Sequence, residues 1–167
     1  MLTIKFAKKD DIAEVSQLIA SSWRSAYRGI LDDSFLDALP DDGWVQFLTT
    51  GMEGGAFVCL IAEEGGVLLG LAILRSGEIS KMPEHGELSS LYVRPGSMQQ
   101  GVGGALLGEV LGYMRSQDLV YCVLDVLVGN ENAIGFYRNR GFVLMDVAAN
   151  TTLGGKEYKC HIMRKTL

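Results

Sequence analysis

The sequence predicts an α/β chain in which strands and helices interleave, and three observations carry that prediction. Ala56 to Ala62 and Val67 to Leu74 are apolar runs joined by Glu63-Glu64-Gly65-Gly66, a hairpin signal. Leu119 to Val128 is apolar almost throughout, interrupted by Asp125, as expected of a central strand covered on both faces. Between them, Leu88 to Met114 changes its period from strand to helix. Leu91-Tyr92-Val93 ends at Arg94-Pro95-Gly96, Ser97-Met98-Gln99-Gln100 follows, and Gly101-Val102-Gly103-Gly104 opens the helical pattern Ala105 to Met114.

The other elements follow in chain order. Thr3 to Ala7 reads as a short strand, with Ile4 and Phe6 on one face. Asp10-Asp11 supplies a cap for a helix whose apolar positions Ile12, Val15, Leu18 and Ile19 recur at helical spacing. That helix gives out near Gly29, and Asp32-Asp33-Ser34 starts a second one carrying Phe35, Leu36 and Leu39. Pro40 interrupts it, and Trp44, Phe47 and Leu48 predict a further turn or more of helix. Ser76 to Gly86 is rich in Gly, Pro and charge and reads as a loop, with the strand Glu87 to Val93 after it. Asn132 to Arg140 is a short helix stopped by Gly141. Phe142 to Val147 and Glu157 to Arg164 are two final strands, with a polar loop, Ala149 to Lys156, expected between them.

Composition bounds the function. A chain of 167 residues is long enough for one domain, 1–167, with a sizeable core. No apolar run reaches the roughly 18–20 residues of a membrane span, and the early charges Lys8-Lys9-Asp10-Asp11 argue against a signal peptide. Cys59, Cys122 and Cys160 are odd in number and lie in apolar runs, which predicts buried free thiols and a cytoplasmic location. With only two histidines and no Cys/His cluster at zinc-ligand spacing, no metal site is expected. A net charge of −5 argues against nucleic acid as a partner and suits a cationic one.

The stretch from Leu88 to Met114 reads as a strand, a tight turn and a helix that begins in glycines. The first N–H groups of a helix have no intrahelical acceptor, and the peptide dipoles add roughly half a positive charge there. Glycines at that point let a phosphate approach bare backbone. Gly96 and Gly101 have P-loop spacing, but Val102 and Gly103 stand where Lys and a hydroxyl are needed. A dinucleotide fingerprint would need Gly where Leu106 sits. Neither fits, and from the residues alone the stretch reads either as a pyrophosphate cradle of another kind or as a glycine-rich turn that joins a strand to a helix.

Val93-x-Pro95 followed by Gln99-Gln100-Gly101-Val102-Gly103-x-x-Leu106-Leu107 resembles the acetyl-coenzyme A loop of the GCN5-related N-acetyltransferases, the GNAT superfamily. Met98 stands at the position where that family's pattern has Gln or Arg. Asn130, Ala133-Ile134, Phe136-Tyr137 and Gly141-Phe142 resemble the family's second motif, in the same order and at the same spacing. The resemblance implies a mixed, mostly antiparallel sheet of about seven strands flanked by about four helices. It also implies that the glycine-loop strand and the Leu119–Val128 strand splay apart to receive the pantetheine arm.

What the resemblance implies for the site can be assigned residue by residue. Acetyl-CoA would be held by Met98, Gln99, Gln100, Gly101, Val102, Gly103 and Gly104, with backbone N–H groups of Leu91, Tyr92 or Val93 polarising the acyl carbonyl. Asn130 would touch the cofactor or cap its helix. Tyr137 would stand near the sulfur and protonate the departing thiolate. An attacking amine must first lose a proton, so a general base is required. Glu87 is the candidate, with Glu84 and His85 as rivals. Trp23 and Tyr27, with Glu87, are the candidates for holding the acceptor, because the segment between the first two helices covers that side of the cleft in the family.

The expected activity is transfer of acetyl from acetyl-CoA to a primary amine of a small molecule by direct attack in a ternary complex. The three cysteines are expected to be buried free thiols, which gives an acyl-enzyme no support. Peptide or protein acetylation is the alternative within the same chemistry, and an acyl-CoA sensor without turnover is the alternative outside it. A homodimer is compatible with the resemblance, which does not select its surface. Gly104, Gly108 and Gly112 recur every fourth residue of the long helix and predict a close approach of another element to that face.

Overall fold

Two aspartates set where the first helices begin. Asp32 accepts hydrogen bonds from Ser34 N at 3.0 Å and Phe35 N at 3.4 Å, starting α2 (Asp33–Asp37) as its N-cap. Asp11 instead accepts from Lys8 N at 2.7 Å and closes a 3-10 turn over Lys9–Asp11, so α1 (Ile12–Ala26) grows from that turn without a side-chain cap of its own. The computed structural model describes residues 1–76 and 82–167. After β1 (Thr3–Phe6), α1 and α2 come α3 (Val45–Glu53), β2 (Val58–Glu64), β3 (Val67–Ser76) and β4 (His85–Val93). Then follow α4 (Val102–Ser116), β5 (Tyr121–Leu127), α5 (Glu131–Arg138), β6 (Val143–Leu153) and β7 (Lys156–Thr166).

The strands form one seven-stranded sheet in the order β1-β2-β3-β4-β5-β7-β6. All neighbours are antiparallel except β4 and β5, which run parallel. That pair is registered only from His85–Tyr121 to Glu87–Val123. Beyond it β4 continues to Val93 and β5 to Leu127 without pairing to one another, so the expected splay is present. One face of the sheet carries α4 and α5, with Leu106, Leu107, Val110 and Met114 buried against Leu74, Leu88 and Leu124. The other carries α1 and α3, whose Val15, Ile19 and Leu48 pack on Ile61, Leu71 and Ile73. Near the splayed end Leu31, just before α2, and Leu36 within it cover Leu127 and Cys160. Burial of each such aliphatic side chain stabilises the fold by about 1.5–3 kcal/mol. No helix among the described residues is long and apolar enough to cross a membrane.

Two expectations need correction. The polar stretch expected to be a loop between the last strands is mostly strand: β6 runs on to Leu153 and β7 starts at Lys156, joined by Gly154-Gly155 at φ 56° and 76°. Polar residues such as Asn150, Thr151 and Thr152 suit a hairpin exposed on much of its surface, and Gly154 brings the tip against the Phe35 ring, where a Cβ would come within 2.7 Å. The glycine stripe of α4 is also not what its spacing predicts. A Cβ at Gly108 or Gly112 would meet nothing within 4 Å, and at Gly104 only the Arg140 guanidinium. Close approach of sheet to helix comes from strand glycines: a Cβ at Gly70 would lie 2.9 Å from Leu106 Cδ1, and at Gly86 2.8 Å from Met114 Sδ. The expected loop Ser76 to Gly86 falls partly on residues 77–81, which lie outside the described residues.

Candidate active site

The gap between β4 and β5 opens into a cavity of about 1240 Å³. Its lining comes from α4 and α5 at one end and from α1, the α1–α2 connection and the β6–β7 hairpin at the other. Because these elements lie on opposite faces of the sheet, the cavity passes through the sheet at the splay.

At the α4 end the wall is mainly backbone. Gly101, at φ 85°, ends the loop in a left-handed conformation and no side chain caps the helix after it. The first helical hydrogen bond runs from Ala105 N to Gly101 O at 2.9 Å, so the amides of Val102, Gly103 and Gly104 form the bare first turn. Met98, Gln99, Gly101, Gly103 and Gly104 line the cavity there, while the Val102 side chain is buried in the core. The Gln100 side chain turns back to donate to Gly96 O at 3.2 Å and does not line it. On the facing wall Asn130 caps α5, accepting from Ala133 N at 3.3 Å.

Two residues at this end escaped the sequence reading. Arg140 lies with its guanidinium 3.8 Å from the centre of the Phe136 ring, donates from Nη1 to Phe136 O at 3.0 Å, and brings Nη2 against the Cα side of Gly104. A cation thus stands beside the bare first turn of α4 from a second element. The four-residue spacing of Phe136 and Arg140 was its available signal. Phe136 is half-buried on the cavity wall, and Tyr137 is the more buried of the pair.

Leu91, Tyr92 and Val93 border the gap on β4, and Tyr137 borders it from α5. The Tyr137 ring packs edge-on to Phe136 and Phe142. Burial raises its phenol well above the usual range, so it holds its proton at neutral pH.

Glu87 and Ser90 lie on the α1–α3 face, separated by a bulge. Ile73 of β3 pairs with Ser90 and Leu74 with Leu88, leaving Ser89 as the extra residue. The Ser89 hydroxyl donates to Glu87 Oε1 at 3.0 Å, whereas Oε2 is buried without a hydrogen-bond partner. Glu87 is 7% exposed. Burial holds its carboxyl above the ordinary carboxylate range, against the opposing pull of Ser89 and of Arg75 across the strand pair. Glu87 does not itself line the cavity, but Ser89 and Ser90 do. The rivals lie further off: Glu84 and His85 are outside the lining, and His85 packs edge-on to Tyr121 where β4 and β5 are still paired.

At the α1 end the wall is aromatic. Trp23 donates from Nε1 to the Tyr92 hydroxyl at 2.9 Å, and the Tyr27 and Tyr92 hydroxyls are 3.5 Å apart. Trp23 packs edge-on to Tyr27 with ring centres 5.2 Å apart. Thr151 and Leu153 of the hairpin close over this end, held by the Lys156–Asp32 ion pair and by the bond from Asp32 N to the Tyr158 hydroxyl at 3.3 Å. All three cysteines are free and buried, and burial pushes the thiols of Cys59 and Cys122 up to about 12 and Cys160 up to about 11.

Residues 15–142 match the family model described as the Acetyltransferase (GNAT) family. The chain belongs to that family. As a GNAT protein it is an acyl-CoA-dependent N-acyltransferase that uses acetyl-CoA. A probable N-acetyltransferase of Mycobacterium tuberculosis is 29% identical over 143 residues, covering 84% of this chain and 79% of the relative. An L-amino acid N-acyltransferase of Escherichia coli is 25% identical over 145 residues, covering 86% and 80%. Among solved structures, the PaiA N-acetyltransferase of Thermoplasma acidophilum in complex with coenzyme A superposes with a TM-score of 0.79 at 20% identity, covering 100% of this chain and 99% of that one. The bare first turn of α4, its adjoining guanidinium and the open strand edges fit such a ligand: donors for phosphates at one end, unpaired strand for a pantetheine amide chain in the middle.

Proposed function

We propose that this GNAT enzyme acetylates the primary amine of a small molecule by direct attack within a ternary complex. The observation that carries the reading is the acceptor end of the cavity, where Trp23, Tyr27 and Tyr92 form an aromatic wall and the hairpin forms a roof. A volume of about 1240 Å³ exceeds the roughly 300–1,000 Å³ of a usual single-ligand pocket, as expected where a long donor and a small acceptor share one cavity.

Bound acetyl-CoA supplies an activated thioester; the chain's residues position it and move protons. The amides of Val102, Gly103 and Gly104, with Arg140, hold the pyrophosphate, and Met98, Gln99, Gln100 and Gly101 shape the loop around it. Leu91, Tyr92 and Val93 offer backbone groups along the open edge of β4, with Asn130 and Tyr137 on the facing wall. Glu87 removes the amine proton through Ser89: the serine hydroxyl passes its proton to Oε1 and receives the amine's in return. A carboxylate whose affinity for a proton is raised by burial is a stronger base than a solvated one. As the C–N bond forms and the C–S bond breaks, Tyr137 gives its proton to the sulfur and recovers one from solvent. High thiol pKa values at all three cysteines support direct transfer over an acyl-enzyme.

Release of free thiol from acetyl-CoA, measured with a panel of small primary amines and with lysine and N-terminal peptides, tests the reading. Turnover with small amines is expected. Turnover confined to peptides would replace small molecule with polypeptide as the acceptor. Thiol release with neither, alongside tight coenzyme A binding, would leave an acyl-CoA sensor.

A further inference from the structure

Asp125 interrupts an otherwise apolar central strand. It lies two residues beyond Val123, the residue that faces Glu87 in the last registered β4–β5 pair, and so stands on the same face of the sheet as Glu87 at the edge of the gap. It is exposed into the cavity beside Tyr27 and Tyr92. None of the ion pairs among the described residues includes it. The cations lining the cavity are engaged elsewhere: Arg28 pairs with Asp33 and Asp37, and Arg140 stacks on Phe136 at the phosphate end. The described partner of the carboxylate is the Cys160 thiol, a weak donor. Asp125 shares the cavity wall with the phenols of Tyr27, Tyr92 and Tyr137.

A carboxylate in an aromatic chamber selects a cation. The amine that attacks the thioester has to be neutral, and a carboxylate at its nitrogen would hold the proton on. We infer that Asp125 anchors a second, non-reacting positive charge on the acceptor, so that the substrate class is a diamine or polyamine; this rests on the small-molecule reading above. The aromatic wall of Trp23, Tyr27 and Tyr92 would line the path between the two nitrogens, and Glu87 would serve the reacting one.

Diaminobutane and butylamine, which differ by one ammonium, make the test. In the wild type kcat/KM for diaminobutane is expected to exceed that for butylamine by about tenfold to a hundredfold, the worth of one charge-assisted hydrogen bond. Asp125→Asn should collapse that ratio toward one through KM, while Asp125→Glu should retain most of it. Calorimetric titration of diaminobutane into the enzyme saturated with coenzyme A gives a readout independent of turnover: binding in the wild type and its loss in Asp125→Asn are expected. Equal kcat/KM for the two amines, or a ratio untouched by Asp125→Asn, would overturn the assignment alone. Turnover of a lysine peptide but of neither free amine would overturn the assignment and the small-molecule reading together.

Discussion

The two ends of the cavity are built from different materials. At the α4 end the chain presents main chain: three N–H groups on an uncapped helix, reached through a left-handed glycine. At the α1 end it presents side chains: an indole, two phenols and a carboxylate outside the described ion pairs, brought together from α1, β4 and β5. Main-chain donors recognise any phosphate alike, which suits a donor common to a whole family. Side chains can be exchanged singly without disturbing the sheet, which suits an acceptor peculiar to one enzyme. Of the groups proposed to react, Tyr137 borders the cavity between the two ends and Glu87 reaches it through Ser89.

Substitutions between and at the ends test that division. The largest effect is expected at Glu87→Gln, where kcat should fall by about a thousandfold and the acidic limb of the pH–rate profile should disappear. The same variant has a stability signature. Glu87 is raised in the folded protein, so its contribution is fully present in acid and is lost as pH rises through the raised value. The melting temperature of the variant, measured against pH, should therefore gain on the wild type toward neutrality; parallel curves would remove the buried carboxyl from the account. Tyr137→Phe should lower kcat by about a hundredfold with little change in the Kd for coenzyme A. The reverse pattern, a weakened Kd with normal turnover, would make Tyr137 a wall residue only.

Arg140→Ala should raise the KM for acetyl-CoA by about tenfold and leave the KM for the amine alone. An equal rise in both would show that the ends are not separable. Smallest is the back of α4. Gly108→Ala and Gly112→Ala, at positions open to solvent, should each stabilise the fold by about 0.5–1 kcal/mol, read as a higher melting temperature with unchanged kinetics. A lower melting temperature would reinstate a packed face there.

The sequence revealed these regions unequally, for physical reasons. Strand, turn and glycine-headed helix are local, so Val93 to Leu107 declared the main-chain end of the cavity, and the hairpin at Gly65-Gly66 declared itself through residues that take positive φ. The splay was legible only through the family resemblance, because parallel pairing of β4 with β5 is not a local property. Ser89's bulge depends on its register with β3, and a sequence does not print register. Arg140 and Asp125 were visible as residues but not as neighbours of the site, since each acts across a contact between distant elements. The glycine stripe misled because spacing reports which residues share a face and not what that face meets. The face of α4 that packs is the one bearing Leu106, Leu107, Val110 and Met114.

A channel that perforates the sheet has a kinetic corollary. On the proposed ternary-complex reading, thioester and amine would approach from opposite sides of one layer, so neither doorway would be shut when the other is occupied. Initial-rate lines at several fixed amine concentrations should intersect, and coenzyme A as a product should compete with the incoming thioester while leaving the amine's entrance free. An aperture of this kind lets the spent carrier depart while the acylated product is still in place.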